Sequence, residues 1–251
     1  KDVLIVSGAS TVPAISTAMV EALLPQTGGS VAEVVSIDVG ISPGNRAPRG
    51  PATVRAILGY CGRQIPAIAG NVEEFGWGGL ARFEYPQPVG ARWMSHVDTP
   101  ERALWAVRFP ALERASIRAG LELGLMHLGL SMLSRGVRAG VLPSLDRFSA
   151  QILWLADRLE SFGTDTGAMH VHVARRDARG ARNLHTGMLI AERGDGPQIP
   201  ATPAVVIVRK LLGLGGYAPL KLRGAMPCIG MITLDEVMQE LRGYAIRYEG
   251  G

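Results

Sequence analysis

The beginning of the chain combines an apolar run, a turn and a polar start signal in the order that a strand followed by a helix requires. Residues 3–6, VLIV, have the length and β-branching that predict a strand buried on both faces of a parallel sheet. Gly8 provides a turn, and Ser10 or Thr11 can cap a helix with Pro13 in its first turn. A parallel strand needs neighbours, so we expect them to lie upstream and the chain to be a fragment.

A second strand and helix follow, separated by a loop rich in glycine and proline. Residues 31–41, VAEVVSIDVGI, predict the strand, and residues 42–50, SPGNRAPRG, predict the loop. Pro51 begins a segment with helical spacing. Between residues 64 and 93, pieces such as ARFEYP alternate as short strands do. Thr99 as cap and Pro100 then predict the start of a short helix.

The apolar period changes from helical to two in the second half of the chain. Long helices are predicted over residues 121–141 and 145–162. In AMHVHVARR, three apolar residues then share one strand face and two histidines the other, and NLHTGMLIAER completes a β-hairpin. Thr202 begins a predicted helix that ends near residue 212, and a last helix covers residues 234–241. The predicted fold class is therefore α/β to α+β with a mixed sheet.

One apolar stretch, residues 119–142, is long enough to span a membrane. It carries Glu122, His127, Arg135 and Arg138. Each charge at the centre of a spanning helix costs about 2.5–3.5 kcal/mol on insertion scales. We therefore predict a core or interface helix and no membrane partner.

Composition and charge narrow the kinds of protein that this sequence can encode. The 251 residues are 47% hydrophobic, which is enough to build a core. The formal charge is +4, and the basic residues are scattered and not interleaved with aromatic residues, which argues against a nucleic-acid partner. Cys61 and Cys228 fit no metal or redox spacing and indicate a reducing compartment, so we expect a cytoplasmic protein.

Six segments carry a resemblance to a known family. In chain order they are GASTVPAIS, ISPGNRAPRGPATVRAILGYCGR, RAGLELGLMHLGL, GTDTGAM, GDGPQIPATPA and GAMPCIG, and together they span nearly the whole chain. They look like the saccharopine dehydrogenase-like oxidoreductase family. The resemblance implies that residues 1–30 are the terminal strand and helix of a truncated Rossmann domain. It implies that residues 31–251 form a substrate-binding and dimerisation domain, and it leaves open a return to the Rossmann part near the C-terminus.

The sequence departs from that family in one respect: the dinucleotide fingerprint, G-x-G-x-x-G between a strand and a helix, is absent from it. The glycine-rich stretches GWGG at residues 76–79 and GLGG at residues 213–216 neither follow a predicted strand nor open a predicted helix. The resemblance implies NAD or NADP in the full-length protein. We expect no cofactor to bind tightly to this chain alone.

The loop SPGNRAPRG holds the strongest candidate binding residues. Arg46 and Arg49 flank a proline next to a predicted helix N-terminus, where the helix dipole and free N–H groups favour an anion. These arginines fit the recognition of a substrate carboxylate. Arg55, one turn into the helix, either points at the same place or lies on the exposed helix face. The alternative is that the arginines only solvate a surface loop.

The histidines suggest no complete catalytic or metal site. His170 and His172 have the H-x-H spacing of metal ligands, but no cysteine or carboxylate cluster completes a site, so a polar strand face is the favoured interpretation. Asp98 can orient the imidazole of His96, although a capping role beside Thr99 is favoured. We predict no metal site and assign no catalytic residue.

Two loops with special backbone requirements offer further candidates. GTDTGAM contains Asp165 and GDGPQIPATPA contains Thr202, and both residues can line a cleft near the nicotinamide. Their glycines are explained by turns alone, and a role as helix N-cap is enough to explain Thr202.

Two functions from different classes stay open. One is the substrate-binding portion of an NAD(P)-dependent oxidoreductase acting on an amino acid-like or other carbonyl or imine substrate, as the resemblance implies. The other is a non-catalytic domain for oligomerisation or for sensing a small ligand. We expect a homodimer in which the family-like helices and hairpin, together with residues 119–142, bury a face between subunits. We also expect a small-molecule substrate that the sequence does not name.

Overall fold

The computed structural model describes residues 3–24, 33–68, 73–177 and 179–250. The strands are β1 (Leu4–Ser7), β2 (Val34–Ser42), β3 (Gln64–Ile65), β4 (Glu74–Phe75), β5 (Ala81–Glu84), β6 (Ala91–His96), β7 (Arg114–Ala119), β8 (Gly167–Arg176), β9 (Arg182–Ala191), β10 (Gly224–Pro227) and β11 (Ile246–Gly250). The α-helices are α1 (Ser16–Ala22), α2 (Pro51–Gly59), α3 (Glu101–Arg108), α4 (Gly124–Arg138), α5 (Ser149–Arg158), α6 (Gln198–Leu212) and α7 (Leu234–Glu240).

A seven-stranded mixed sheet forms the centre of the fold, in the order β11-β9-β8-β2-β7-β6-β5. Strand β2 runs parallel to β7 and antiparallel to β8. Strands β8 and β9 pair antiparallel along their full length, which confirms the predicted hairpin. The predicted class, α/β to α+β with a mixed sheet, is also confirmed. The first two residues of the predicted strand 31–41 lie outside the described residues.

One face of the sheet packs on four helices to form the main hydrophobic core. Alternate residues of β2 and β8, among them Ile37, Val39, Val171 and Val173, are fully buried on this face because strand side chains alternate between faces. Helices α1, α3, α6 and α7 cover it, and Trp105 of α3 is fully buried there. The apolar period of two read in the sequence therefore marks the core face.

The opposite face carries the histidines of β8 and is covered by the β5–β6 hairpin. Phe83 stacks on His170 with 3.7 Å between ring centroids, and the Tyr85 hydroxyl lies 2.7 Å from His170 Nδ1 in a hydrogen bond. Burial lowers the pKa of His170 to about 3, so the imidazole is neutral. The predicted polar strand face is thus buried at His170, and His172 on the same face is half-buried.

Helices α2, α4 and α5 form a second layer with a small core of its own. Leu58, Cys61, Trp77 and Leu145 are buried at its centre. Helix α7 begins as predicted, with a capping box in which Thr233 and Glu236 satisfy each other's backbone N–H groups. No helix in the described part of the chain is long and apolar enough to cross a membrane.

Several predicted boundaries are wrong. Helix α4 begins at Gly124 rather than at residue 121, and the predicted helix 145–162 is divided into α5 and two flanking 3-10 turns. Helix α6 begins at Gln198, so Thr202 is no N-cap; its hydroxyl donates to the carbonyl of Gln198 within the helix.

The predicted N-caps of two helices in the first half of the chain are also wrong. Helix α1 begins at Ser16, and neither Ser10 nor Thr11 caps it, because residues 11–15 form a separate irregular turn before the helix. Thr99 makes no capping bond to α3, which begins at Glu101 with Pro100 in the cap position.

The prediction that the first strand is buried on both faces is wrong for the described chain. Strand β1 pairs in parallel with β10 in a two-stranded sheet, and Ile5 is 61% exposed. A single neighbouring strand leaves part of its surface open. The domain division at residue 30 stays a prediction.

Candidate functional site

A cavity of about 300 Å³ lies at the edge of the sheet where β2 ends. Because β8 and β9 run antiparallel, the first residues of β8 and the last residue of β9 reach the same edge, and Gly167 is paired with Ala191. The start of α6 and Thr11 complete the walls of this first cavity. The carboxyl ends of parallel strands are the common place for ligands in α/β proteins.

The first cavity contains groups of both charges. Arg46 and Asp165 line it, and both side chains are exposed. The Arg46 guanidinium makes one long hydrogen bond, 3.4 Å, to the carbonyl of Ser161. Asp165 has no hydrogen-bond or ion-pair partner within the part of the chain that the structure describes. Both charges are therefore free to meet a ligand.

Ser42 adds a buried polar group to the same cavity. Its side chain is fully buried at the end of β2, and its hydroxyl has no hydrogen-bond partner among the described residues. An unpaired buried hydroxyl is costly unless something satisfies it. The hydroxyl has almost no accessible surface and lies beside Gly120, so it does not open to the cavity.

Glu122 fixes the loop after β2, which forms one wall of the first cavity. Its carboxylate accepts hydrogen bonds from the backbone N–H groups of Asn45 (2.6 Å) and Thr164 (2.8 Å). It also accepts from the Thr164 hydroxyl at 2.6 Å and pairs with Arg92 at 3.2 Å. One carboxylate thus joins the loop after β2 to the loop before β8.

The charge of Glu122 is stabilised in this position. Burial acts to raise the pKa of the carboxyl, but the hydrogen bonds from Thr164 and Asn45 and the charge of Arg92 outweigh it. The pKa is held below its ordinary value as a result. Glu122 is therefore ionised at neutral pH and acts as an acceptor only.

A second cavity, of about 230 Å³, lies on the other side of the loop. Residues 43, 44, 47 and 48 line both cavities. Arg49 lines the second cavity, where its Nη2 donates to the carbonyl and to the side-chain oxygen of Asn45, the latter at 2.8 Å. The two cavities are therefore neighbours with one wall in common.

The three predicted arginines do not converge on one point. Arg46 lines the first cavity, Arg49 lines the second, and Arg55 lies exposed on α2 and lines neither. Sequence reasoning missed Glu122 and Ser42. The signal for Glu122 was a single carboxylate inside an apolar stretch, where a charge needs partners.

The remaining polar candidates serve the fold. Thr202 is buried inside α6 and does not line the first cavity. His96 is buried, 3.3 Å from the Ser116 hydroxyl, and burial lowers its pKa to about 4. Asp98 is exposed. Among the described residues, no group of three or more His, Cys, Asp or Glu side chains is arranged to hold a metal ion.

Neither glycine-rich stretch has the form of a dinucleotide cradle. Gly76 to Gly79 follow the two-residue strand β4, which the sequence did not predict, and lead into strand β5. Gly213 follows α6, and the chain from there reaches β10 without a helix. A pyrophosphate cradle needs a strand before the glycines and a helix after them, so neither stretch supplies one.

Comparison with known proteins supports the fold. The apo form of saccharopine dehydrogenase (L-Glu forming) from Saccharomyces cerevisiae has a similar structure, with a TM-score of 0.50, 14% sequence identity, and coverage of 87% of this chain and 67% of that one. No protein-family model matches the sequence, and no curated protein matches it. The chain therefore shares the fold of a saccharopine dehydrogenase at a distant level.

Proposed function

We propose that this chain is the substrate-binding part of an NAD(P)-dependent oxidoreductase of the saccharopine dehydrogenase type. One observation carries the proposal: four of the six segments that resemble this family meet at the first cavity. They contribute Thr11, Arg46, Asp165 and Pro197 to its walls. Segments far apart in the sequence that meet at one cavity are typical of a binding site.

An amino acid-like substrate fits the charges of this cavity. Arg46 can bind a carboxylate through two N–H groups, and Asp165 can accept from an ammonium or an iminium N–H. The nicotinamide dinucleotide belongs to the complete enzyme, and no step of the proposal uses residues of this chain to hold it.

Binding of L-glutamate tests the site, because this amino acid carries both charges. We expect Arg46→Ala and Asp165→Asn each to weaken L-glutamate binding about tenfold or more in isothermal titration calorimetry, since a charge-assisted hydrogen bond contributes about 1.5–3 kcal/mol. Glutarate, which has no ammonium group, should bind more weakly than L-glutamate and respond less to Asp165→Asn. In the complete enzyme, Arg46→Ala should raise KM by a similar factor and leave nucleotide binding nearly unchanged.

Arg55→Ala is the matched control, because Arg55 is an exposed arginine of the adjoining helix that lines neither cavity. It should bind L-glutamate as the unmodified chain does. Equal affinities for the Arg46, Asp165 and Arg55 variants would contradict the proposed site.

We further propose that a second copy of the chain covers α4. This helix is polar on its buried side, where His127, Ser131 and Ser134 are fully buried, and apolar on its exposed side. Leu125 is 86% and Met132 is 72% exposed. An apolar stripe on the surface is typical of an interface. In a two-fold dimer the stripes of the two copies pack against each other, because both copies present the same surface.

Light scattering tests the dimer. We expect a mass twice 26.7 kDa for the unmodified chain at micromolar concentration, and the monomer mass for Met132→Glu, because a buried unpaired carboxylate opposes association. Val107→Glu is the control, since Val107 of α3 is 84% exposed but lies outside the stripe. A monomer mass for the unmodified chain would remove this part of the proposal.

A further inference from the structure

The second cavity differs from the first in the chemistry of its walls. Most of its lining residues are apolar, and three helices contribute large apolar side chains: Ile57 of α2, Leu130 of α4 and Ile152 and Leu153 of α5. Trp77, which is 1% exposed, also lines it. A cavity of about 230 Å³ with such walls suits a hydrocarbon chain.

The polar groups of the second cavity lie together. Asn45 donates its backbone N–H to Glu122 and accepts from Arg49 through its side chain, so all three residues form one hydrogen-bonded cluster. All three line the cavity. Thr53, in the first turn of α2, lines it as well. The cavity is therefore amphipathic, with a polar cluster against apolar walls.

The net charge available to a ligand at this cluster is positive. Glu122 is already engaged by two backbone N–H groups, the Thr164 hydroxyl and Arg92. Arg49 has no carboxylate partner, and only its Nη2 donates a hydrogen bond among the described residues. Its Nε and Nη1 groups are left to bind a ligand.

We propose that the second cavity is a separate binding site for an apolar carboxylic acid. The ligand carboxylate accepts from the free N–H groups of Arg49, and the hydrocarbon chain lies between α2, α4 and α5. One unpaired guanidinium beside the ionised Glu122 suits a monoanion better than a dianionic phosphate group. The site uses different residues from the amino acid site, so it does not depend on the proposed function.

Octanoate is the probe for this site. We expect saturable one-to-one binding in isothermal titration calorimetry, with a change in tryptophan fluorescence that Trp77→Phe reduces. Arg49→Gln should weaken octanoate binding about tenfold and leave 1-octanol binding nearly unchanged, because only the carboxylate uses the guanidinium. Butyrate should bind more weakly than octanoate because it buries less hydrocarbon.

Two further variants keep the test decisive. Leu153→Trp places a larger side chain in the cavity and should abolish binding of both octanoate and octanol. Arg55→Gln, on the exposed face of α2, should change neither. No octanoate binding to the unmodified chain, or equal octanoate binding by the Arg49→Gln and Arg55→Gln variants, would overturn the proposal. Octanoate binding without L-glutamate binding would leave this site standing and remove the amino acid site.

Discussion

Replacing Glu122 with alanine is expected to lower the free energy of unfolding by about 3–5 kcal/mol, the range for removing one partner of a buried ion pair. The side chains of Glu122 and Arg92 are 7% and 8% exposed. The substitution leaves Arg92 without its carboxylate and the backbone N–H groups of Asn45 and Thr164 without their acceptor. Urea denaturation followed by circular dichroism measures the effect.

Glu84→Ala is the matched control for this experiment. The side chains of Glu84 and its partner Arg82 are 68% and 57% exposed, so their ion pair contributes little. We expect a change below about 0.5 kcal/mol. A loss for Glu122→Ala no larger than that for Glu84→Ala would show that the carboxylate does not hold the two loops together.

Much of the sheet could be predicted because its side chains follow a simple period. The alternation in β8 and β9 was visible, since each core residue on one face is separated by one residue from the next. The start of α6 was not predicted, because Thr202 and Pro203 have the form of a helix start while the helix in fact begins at Gln198. A threonine followed by proline also occurs inside a helix, so this local pattern does not by itself locate the first residue of the helix.

The candidate site was predictable only in part, because its geometry depends on distant contacts. The loop after β2 was identified as a binding loop from its arginines, glycines and prolines. That Arg46 and Arg49 open to different cavities depends on how the loop bends, and the bend is held by a hydrogen bond between Asn45 and Glu122, which are 77 residues apart. No local pattern reports such a contact.

The same loop also depends on close backbone packing at Gly44. A methyl group on this residue would lie 2.7 Å from the carbonyl oxygens of Thr164 and Thr166 and 2.9 Å from the backbone nitrogen of Thr166. These atoms belong to the backbone and cannot move aside as a flexible side chain can. We therefore expect Gly44→Ala to destabilise the fold by about 1–3 kcal/mol, measured by urea denaturation.

Gly44→Ala should also weaken binding at both cavities, because Gly44 lies in the wall that they share. The substitution pushes that wall away from the 164–166 segment, and the hydrogen bond of 3.0 Å from the Arg46 N–H to the Thr164 carbonyl is strained with it. Gly59→Ala is the control on the adjoining helix α2: Gly59 lines neither cavity, and no atom lies within 4 Å of an added methyl group. We expect Gly59→Ala to bind L-glutamate and octanoate as the unmodified chain does. If the two alanine variants lose stability and affinity equally, the close contact at Gly44 does not set the position of the loop.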